Sequence, residues 1–210
     1  MSVAVIDSVA LRCQSLSSRR IAVMGRWEPG ARERLERAAL ELYVERGFEQ
    51  ATVAEITNRA GLTERTFFRH FADKREVLFS GQAEMLEICV NAIVGAPEAV
   101  APLDAVAEAL RAVSAPLEER RERSQRRQTV IAANAALQER ELLKLASLAS
   151  AVADALRRRG VTEPTASLCA EAGLAIFKVA YERWIGEPGG RTLADVIQDS
   201  LDHLKAATAG

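Results

Sequence analysis

Residues Thr63 to Lys74 read TERTFFRHFADK and crowd together side chains that bond anions and base edges. Arg65, Arg69 and Lys74 are cations, Thr63 and Thr66 carry hydroxyls, His70 an imidazole and Glu64 a carboxylate. Such groups suit phosphate oxygens and nucleobase edges better than they suit catalysis. A nucleophile beside a base, a paired acid and base, or a metal-ligand cluster is not found anywhere in the chain. The histidines, His70 and His203, have no ligand spacing between them, so no metal, cofactor or enzymatic activity is expected.

The surrounding pattern supplies the elements that must hold these groups. Thr52 and Glu55 have the spacing of a capping box, in which each side chain satisfies a free N–H at a helix start. Ala60-Gly61 ends that helix, and Thr63 is placed to cap a second one running through TERTFFRHF. Asp73 with Glu76 repeats the capping logic and is expected to open a third helix. Two short helices across a glycine turn make a helix-turn-helix, whose second helix can enter a DNA major groove.

Bulk properties narrow the classes. A chain of 210 residues with 49% hydrophobic composition can fill one large or two modest domains. The net charge of −1 means that any DNA affinity must come from a local basic face. Cys13, Cys89 and Cys169 are odd in number and far apart, which argues for a reducing compartment and for Cys89 and Cys169 as small core residues. No uninterrupted apolar run approaches ~18 residues and no signal-peptide pattern opens the chain, so a cytoplasmic protein is expected.

The organisation reads as all-α, with three parts. Residues 1–29 form a flexible N-terminal arm, mildly basic through Arg12, Arg19, Arg20 and Arg26. An arm that touches DNA, or translation starting at Met24, are the other readings of this segment. Residues 30–80 form the helix-turn-helix DNA-binding domain, with Val53, Ile56, Leu62, Phe67 and Phe71 as core. Residues 81–208 form a helical ligand-binding and dimerisation domain. In it Met85, Leu86, Ile88, Cys89 and Ile93 share a face, and Leu103, Val106, Ala107 and Leu110 begin a helix that Pro116 kinks or ends. Residues 118–128, EERRERSQRRQ, read as a solvated helical surface. Leu142, Leu145, Leu148, Ala149, Val152 and Leu156 mark a further helix closed by Arg157-Arg158-Arg159-Gly160.

The last two helices, 164–185 and 192–206, form a hairpin across GEPGG. The first is apolar nearly all round, which calls for partners inside and outside its own subunit. The expected dimer interface is Leu168, Ala172, Ile176 and Val179 with the stripe Leu193, Val196, Ile197, Ser200, Leu201 and Leu204, packed as a four-helix bundle across a two-fold axis.

Residues 39–78, ALELYVERGFEQATVAEITNRAGLTERTFFRHFADKREVL, resemble the TetR family of transcriptional regulators. The resemblance is carried by Gly47-Phe48, Thr52-Val53, Ile56, Ala60-Gly61, the aromatic-Arg-His-Phe run and Asp73-Lys74; the remainder agrees only in helical layout. It implies a homodimer that binds a palindromic operator on double-stranded DNA, usually represses, and lets go when a small-molecule inducer binds. By position, Glu64, Arg65 and Thr66 approach base edges, Arg65 with a guanidinium that fits guanine O6 and N7. Thr52, Arg69, His70 and Lys74 match positions that hold the DNA backbone, beside the cap Thr63. Phe68 stands where tyrosine is usual, so stacking or packing replaces a hydroxyl–phosphate bond. The inducer pocket is expected between residues 81 and 187, lined by Met85, Cys89, Gln128, Ile131, Asn134, Phe177 and Tyr181, with the helix from Asp73 as the lever. The alternative is a helical dimeric adaptor without sequence-specific DNA binding.

Overall fold

The computed structural model describes residues 30–187 and 189–209, and the expectations for residues 1–29 lie outside them. The described chain is all-helical: α1 Ala31–Arg46, α2 Val53–Ala60, α3 Glu64–His70, α4 Gln82–Gly95, α5 Pro102–Ala112, α6 Ser114–Glu118, α7 Arg121–Ala132, α8 Ala135–Arg158, α9 Thr165–Gly186 and α10 Leu193–Thr208. An N-terminal helix-turn-helix head is followed by a C-terminal helical body.

Each part has its own core. In the head, Leu35, Leu42, Tyr43, Ile56, Phe67 and Phe71 are buried together with Val77, Leu78 and Phe79 of a short 3-10 helix, Glu76–Phe79. Val130, Ile131 and Leu137 of α7 and α8 complete that cluster, so the head's core draws on residues far beyond position 80. In the body, Cys89 and Ile93 meet Val106, Leu110, Leu148, Val152, Leu156, Phe177, Trp184 and Ile197. Burial pushes the Cys89 thiol up to about 11, so it stays protonated and packs as a small apolar group. Helix α8, 24 residues and so ~36 Å long, joins the cores, with Leu137 in one and Leu148 to Leu156 in the other.

The body packs tightly where α9 crosses α5. A Cβ added at Gly173 would lie 2.3 Å from Cγ1 of Val106, which is itself fully buried. Gly173→Ala is therefore expected to destabilise the protein by about 1–3 kcal/mol through overpacking. Guanidinium unfolding would measure it, and adding Val106→Ala should return most of the loss.

Several expectations are corrected. Asp73 does not open a continuous helix. Its Oδ1 accepts from the N–H of Arg75 and Glu76, but the Glu76 carboxylate turns away to Arg140 and Lys144, so only the 3-10 turn forms before α4 begins. Pro116 neither ends nor kinks α5; it sits in the first turn of α6, where a missing N–H costs nothing. The charge run is only partly a solvated surface: Glu119, Arg120, Glu122 and Gln125 are exposed, but three of its arginines hold the fold. Arg121 donates to the carbonyls of Trp184 and Glu187, Arg123 pairs with Glu36 at 2.7 Å, and Arg127 donates to Leu78 O and stacks over Phe79. Leu142, the first of the residues that mark α8, is 59% exposed. The segment Glu76–Gly95 reaches a mean hydropathy of 1.4, enough by length and composition to cross a membrane. Here it bridges the two cores, with Val77 to Phe79 in one and Cys89 and Ile93 in the other.

The expected dimer stripe is also redistributed. Leu193, Val196, Ile197 and Leu201 are at most 2% exposed, and Ile176 and Ser200 are buried too, all packed within their own subunit. Leu204 is partly buried against the same core. A hairpin must fill its own bundle first, and α10 spends its whole apolar stripe doing so. Leu168 and Val179 remain exposed on α9, with Ala172 half-buried and Ala175 exposed between them, one stripe at i, i+4, i+7 and i+11.

Candidate nucleic-acid interface

The reading face is built from its caps outward. Thr52 Oγ1 accepts from the Glu55 N–H at 3.2 Å, and Glu55 Oε2 accepts from the Thr52 N–H at 3.0 Å, which completes the capping box of α2. Helix α2 closes at Gly61, where φ of +64° permits the left-handed turn and Leu62 N–H reaches back to Thr57 O. Arg34 of α1 donates to Ala60 O and steadies the same corner. Thr63 Oγ1 then accepts from Thr66 N–H at 3.2 Å and starts α3.

Two buried rings set the rotation of α3. Phe67 is fully buried and Phe71 nearly so, their centroids 5.4 Å apart. With Phe67 inward, helical spacing turns Arg65 and Phe68 away from the core, and Glu64, at the first position of the helix, is exposed with them. Arg65 has no hydrogen bond or ion pair among the described residues, so its guanidinium is available for a base edge. Phe68 is 56% exposed and braced edge-on against Phe67 at 5.4 Å, a rigid apolar surface beside the basic groups. Arg69 is exposed in the last turn, Thr66 is half-buried beside its cap, and Thr63 and Thr52 are exposed at the helix starts.

Two residues expected at the DNA backbone have other tasks. Lys74 Nζ donates to the carbonyls of Phe48 at 2.9 Å, Glu49 at 3.1 Å and Ala51 at 3.0 Å, and lies 4.5 Å from the Phe48 ring centroid. An ammonium has three donors, and all are spent on the loop that leads into Thr52. The Lys74 carbonyl in turn accepts from Tyr43 Oη at 2.7 Å. Lys74→Met is expected to lower stability while leaving the salt dependence of DNA binding unchanged; a phosphate contact would instead flatten its slope by about one unit per half-site. His70 is the other case. Its Nε2 is sealed from solvent with no hydrogen-bond partner, and burial, then the charges of Arg69 and Arg32, hold its pKa below the ordinary value. The half-buried ring packs beside Phe71, with centroids 6.3 Å apart.

Of the residues expected to line an inducer pocket, four share the body core and the others lie apart. Cys89 and Phe177 are in the body core, with Met85 and Tyr181 packed against it. Phe177, Tyr181 and Trp184 form a ladder at 5.8 and 5.9 Å, closed by Arg121 over Trp184 at 5.2 Å. Gln128 is half-buried on α7. Ile131 belongs to the head core, and Asn134 caps α8 and donates to Glu49 Oε1 at 2.8 Å, because α7 crosses from body to head along its length.

Sequence reasoning missed the joint between the parts. Glu36 is 6% exposed on α1, held by Arg32 Nε at 3.2 Å and Arg123 Nη2 at 2.7 Å. Glu76 accepts from Arg140 Nη2 at 2.6 Å and Lys144 Nζ at 3.2 Å. The available signal was Glu36 itself, a carboxylate beside Leu35 and one turn before Leu40 on the apolar side of α1.

Comparison with known proteins agrees with this architecture. Residues 36–80 match the family described as bacterial regulatory proteins, tetR family, and residues 100–209 match the MftR C-terminal domain. The HTH-type transcriptional regulator TcmR of Streptomyces glaucescens is 40% identical over 82 residues, 39% of this chain and only 36% of that protein's length. Among solved structures, Thermus thermophilus FadR, in complex with lauroyl-CoA, is 21% identical with a TM-score of 0.53, covering 84% of this chain and 94% of that one. SmeT in complex with triclosan, the efflux-pump repressor of Stenotrophomonas maltophilia, is 21% identical with a TM-score of 0.60, over 85% and 91% of the two chains. At such identities these structures share the fold.

Proposed function

Because the chain belongs to the tetR family of bacterial regulatory proteins, we propose that it is a repressor that grips a palindromic operator as a homodimer and releases it when a small molecule binds the body. The observation that carries the reading is the exposed face of α3. Glu64, the unpaired Arg65 and the braced Phe68 stand outward on a helix fixed by the Thr63 cap and the buried Phe67. An adaptor has no use for such a face. Two copies of α3 about 34–36 Å apart would enter successive major grooves.

Release follows from the two connections between the cores. A ligand that wedges the body core near Cys89, Phe177 and Tyr181 moves α8, whose Leu137 lies in the head core, and α4, which follows closely on the 3-10 turn that places Val77 to Phe79 there. The apolar and aromatic walls favour a ligand with an apolar body, in keeping with the acyl-CoA and triclosan bound by the relatives of similar fold. A hundredfold release requires a differential affinity of about 2.7 kcal/mol between the two states.

The test is selection of bound sequences from a random DNA pool, followed by Arg65→Ala on the enriched site. An enriched palindrome supports the reading. The variant is expected to lose about 1–3 kcal/mol and relax preference at one base position per half-site. Equal weakening on every sequence would reduce Arg65 to a phosphate contact, and no enrichment would sink the regulator reading.

A further inference from the structure

A cleft of about 190 Å³ opens at the joint between head and body, lined by Tyr43, Arg46, Phe48, Glu49, Val130 and Asn134 among others. We propose that it is a second effector site, for a small organic cation with a one-ring apolar body, distinct from the body core. Its effect on the operator rests on the regulator reading; its occupancy does not.

The size fits one ring with a short side chain, since roughly 150 Å³ suffices for benzene in a dry cavity. Its floor is apolar: Tyr43 and Phe48 meet edge to face at 5.2 Å, beside the buried Val130. The charge at the rim decides the ligand's sign. Arg46 is committed to Glu55 at 2.7 Å, whereas the Glu49 carboxylate has one hydrogen bond, from Asn134 Nδ2 at 2.8 Å, and no ion pair among the described residues. Among the side chains that line the cleft, the charge left without an ion pair is therefore that of Glu49. A primary ammonium or guanidinium would pair with Glu49 while its ring rests on Phe48 and Val130.

The position makes such a ligand a regulator. The Glu49–Asn134 bond ties the loop after α1 to the start of α8, and that loop runs into Thr52, the cap of α2. An ammonium that takes over Glu49 competes with Asn134 and loosens this tie. Lys74 fixes the loop from the other side, so the displacement passes to α2 and α3.

The experiment is titration calorimetry of the full chain with 2-phenylethylammonium, the neutral 2-phenylethanol and the anionic 3-phenylpropionate. The amine is expected to bind about threefold or more tighter than the alcohol or the acid, the scale of one exposed ion pair. Glu49→Gln, which keeps an acceptor for Asn134, should reduce the amine to the alcohol's affinity. Ala133→Trp, which fills the cleft from its exposed wall, should abolish binding of both. Failure of the amine to bind at about 10 mM, equal affinity for the three probes, or binding that survives Ala133→Trp each overturns the site. With the selected operator present, the amine should change its affinity at least about threefold; no change overturns the effector role. A protein that binds no operator but binds the amine through Glu49 would sink the regulator reading and leave the site standing.

Discussion

Leu168→Glu combined with Val179→Glu is expected to yield a folded monomer that binds a palindromic operator about a hundredfold or more weakly. Both side chains are exposed, at 63% and 50%, so charging them should barely affect the fold of one subunit. In the proposed dimer the same positions lie across the two-fold axis, where four buried carboxylates would repel and stay unpaired. Sedimentation should report 22.8 kDa instead of twice that. A dimer that persists would move the interface elsewhere, first to the exposed Leu142 and Leu143 of α8. Substitutions at Ile197 or Leu201 could not give this answer, because both residues are core and their loss would unfold the body.

Arg123→Met carries the other large effect. The Glu36 carboxylate sits at the meeting of α1, α7 and the 3-10 turn, and its pKa reflects a contest. Burial alone would raise it, but hydrogen bonds from Ser80 and Arg123, the charge of Arg123 and a bond from Arg32 hold it below the ordinary 4.5. Removing Arg123 leaves a buried charge with Arg32 and Ser80 alone, at a cost of about 2–4 kcal/mol. Thermal and denaturant unfolding would register it. Since the folded pKa is depressed, the stabilisation is fully present above pH 4.5 and is lost as pH falls through the folded value. The variant should therefore show a weaker acid dependence than the parent. Glu36→Gln with Arg123→Met should recover part of the loss, because no uncompensated charge then remains.

The helix-turn-helix was legible because each boundary is written locally. Thr52, Gly61 and Thr63 act on backbone groups within a few residues, and the inward turn of Phe67 and Phe71 follows from spacing alone. What spacing cannot say is which neighbour covers a face. The stripe on α10 was recognised, but whether it met its own bundle or a second copy depended on tertiary packing. The same limit explains Lys74 and the arginines of α7. A cation in sequence is equally fit for a phosphate, a carbonyl or a buried carboxylate, and Lys74 lies more than twenty residues from the carbonyls it holds. The pocket list divides for a geometric reason: α7 leaves one part and enters another, so Arg121 and Gln125 bond to the end of α9 while Val130 and Ile131 pack in the head.

That crossing bears on how such proteins can be rebuilt. A reading head cut at residue 80 and spliced to a foreign sensor would leave behind Val130, Ile131 and Leu137, and bare the apolar floor they cover. It would also strand Glu36 and Glu76 without Arg123, Arg140 and Lys144. The transplantable unit is discontinuous: the first fifty described residues together with the corner where α7 meets α8.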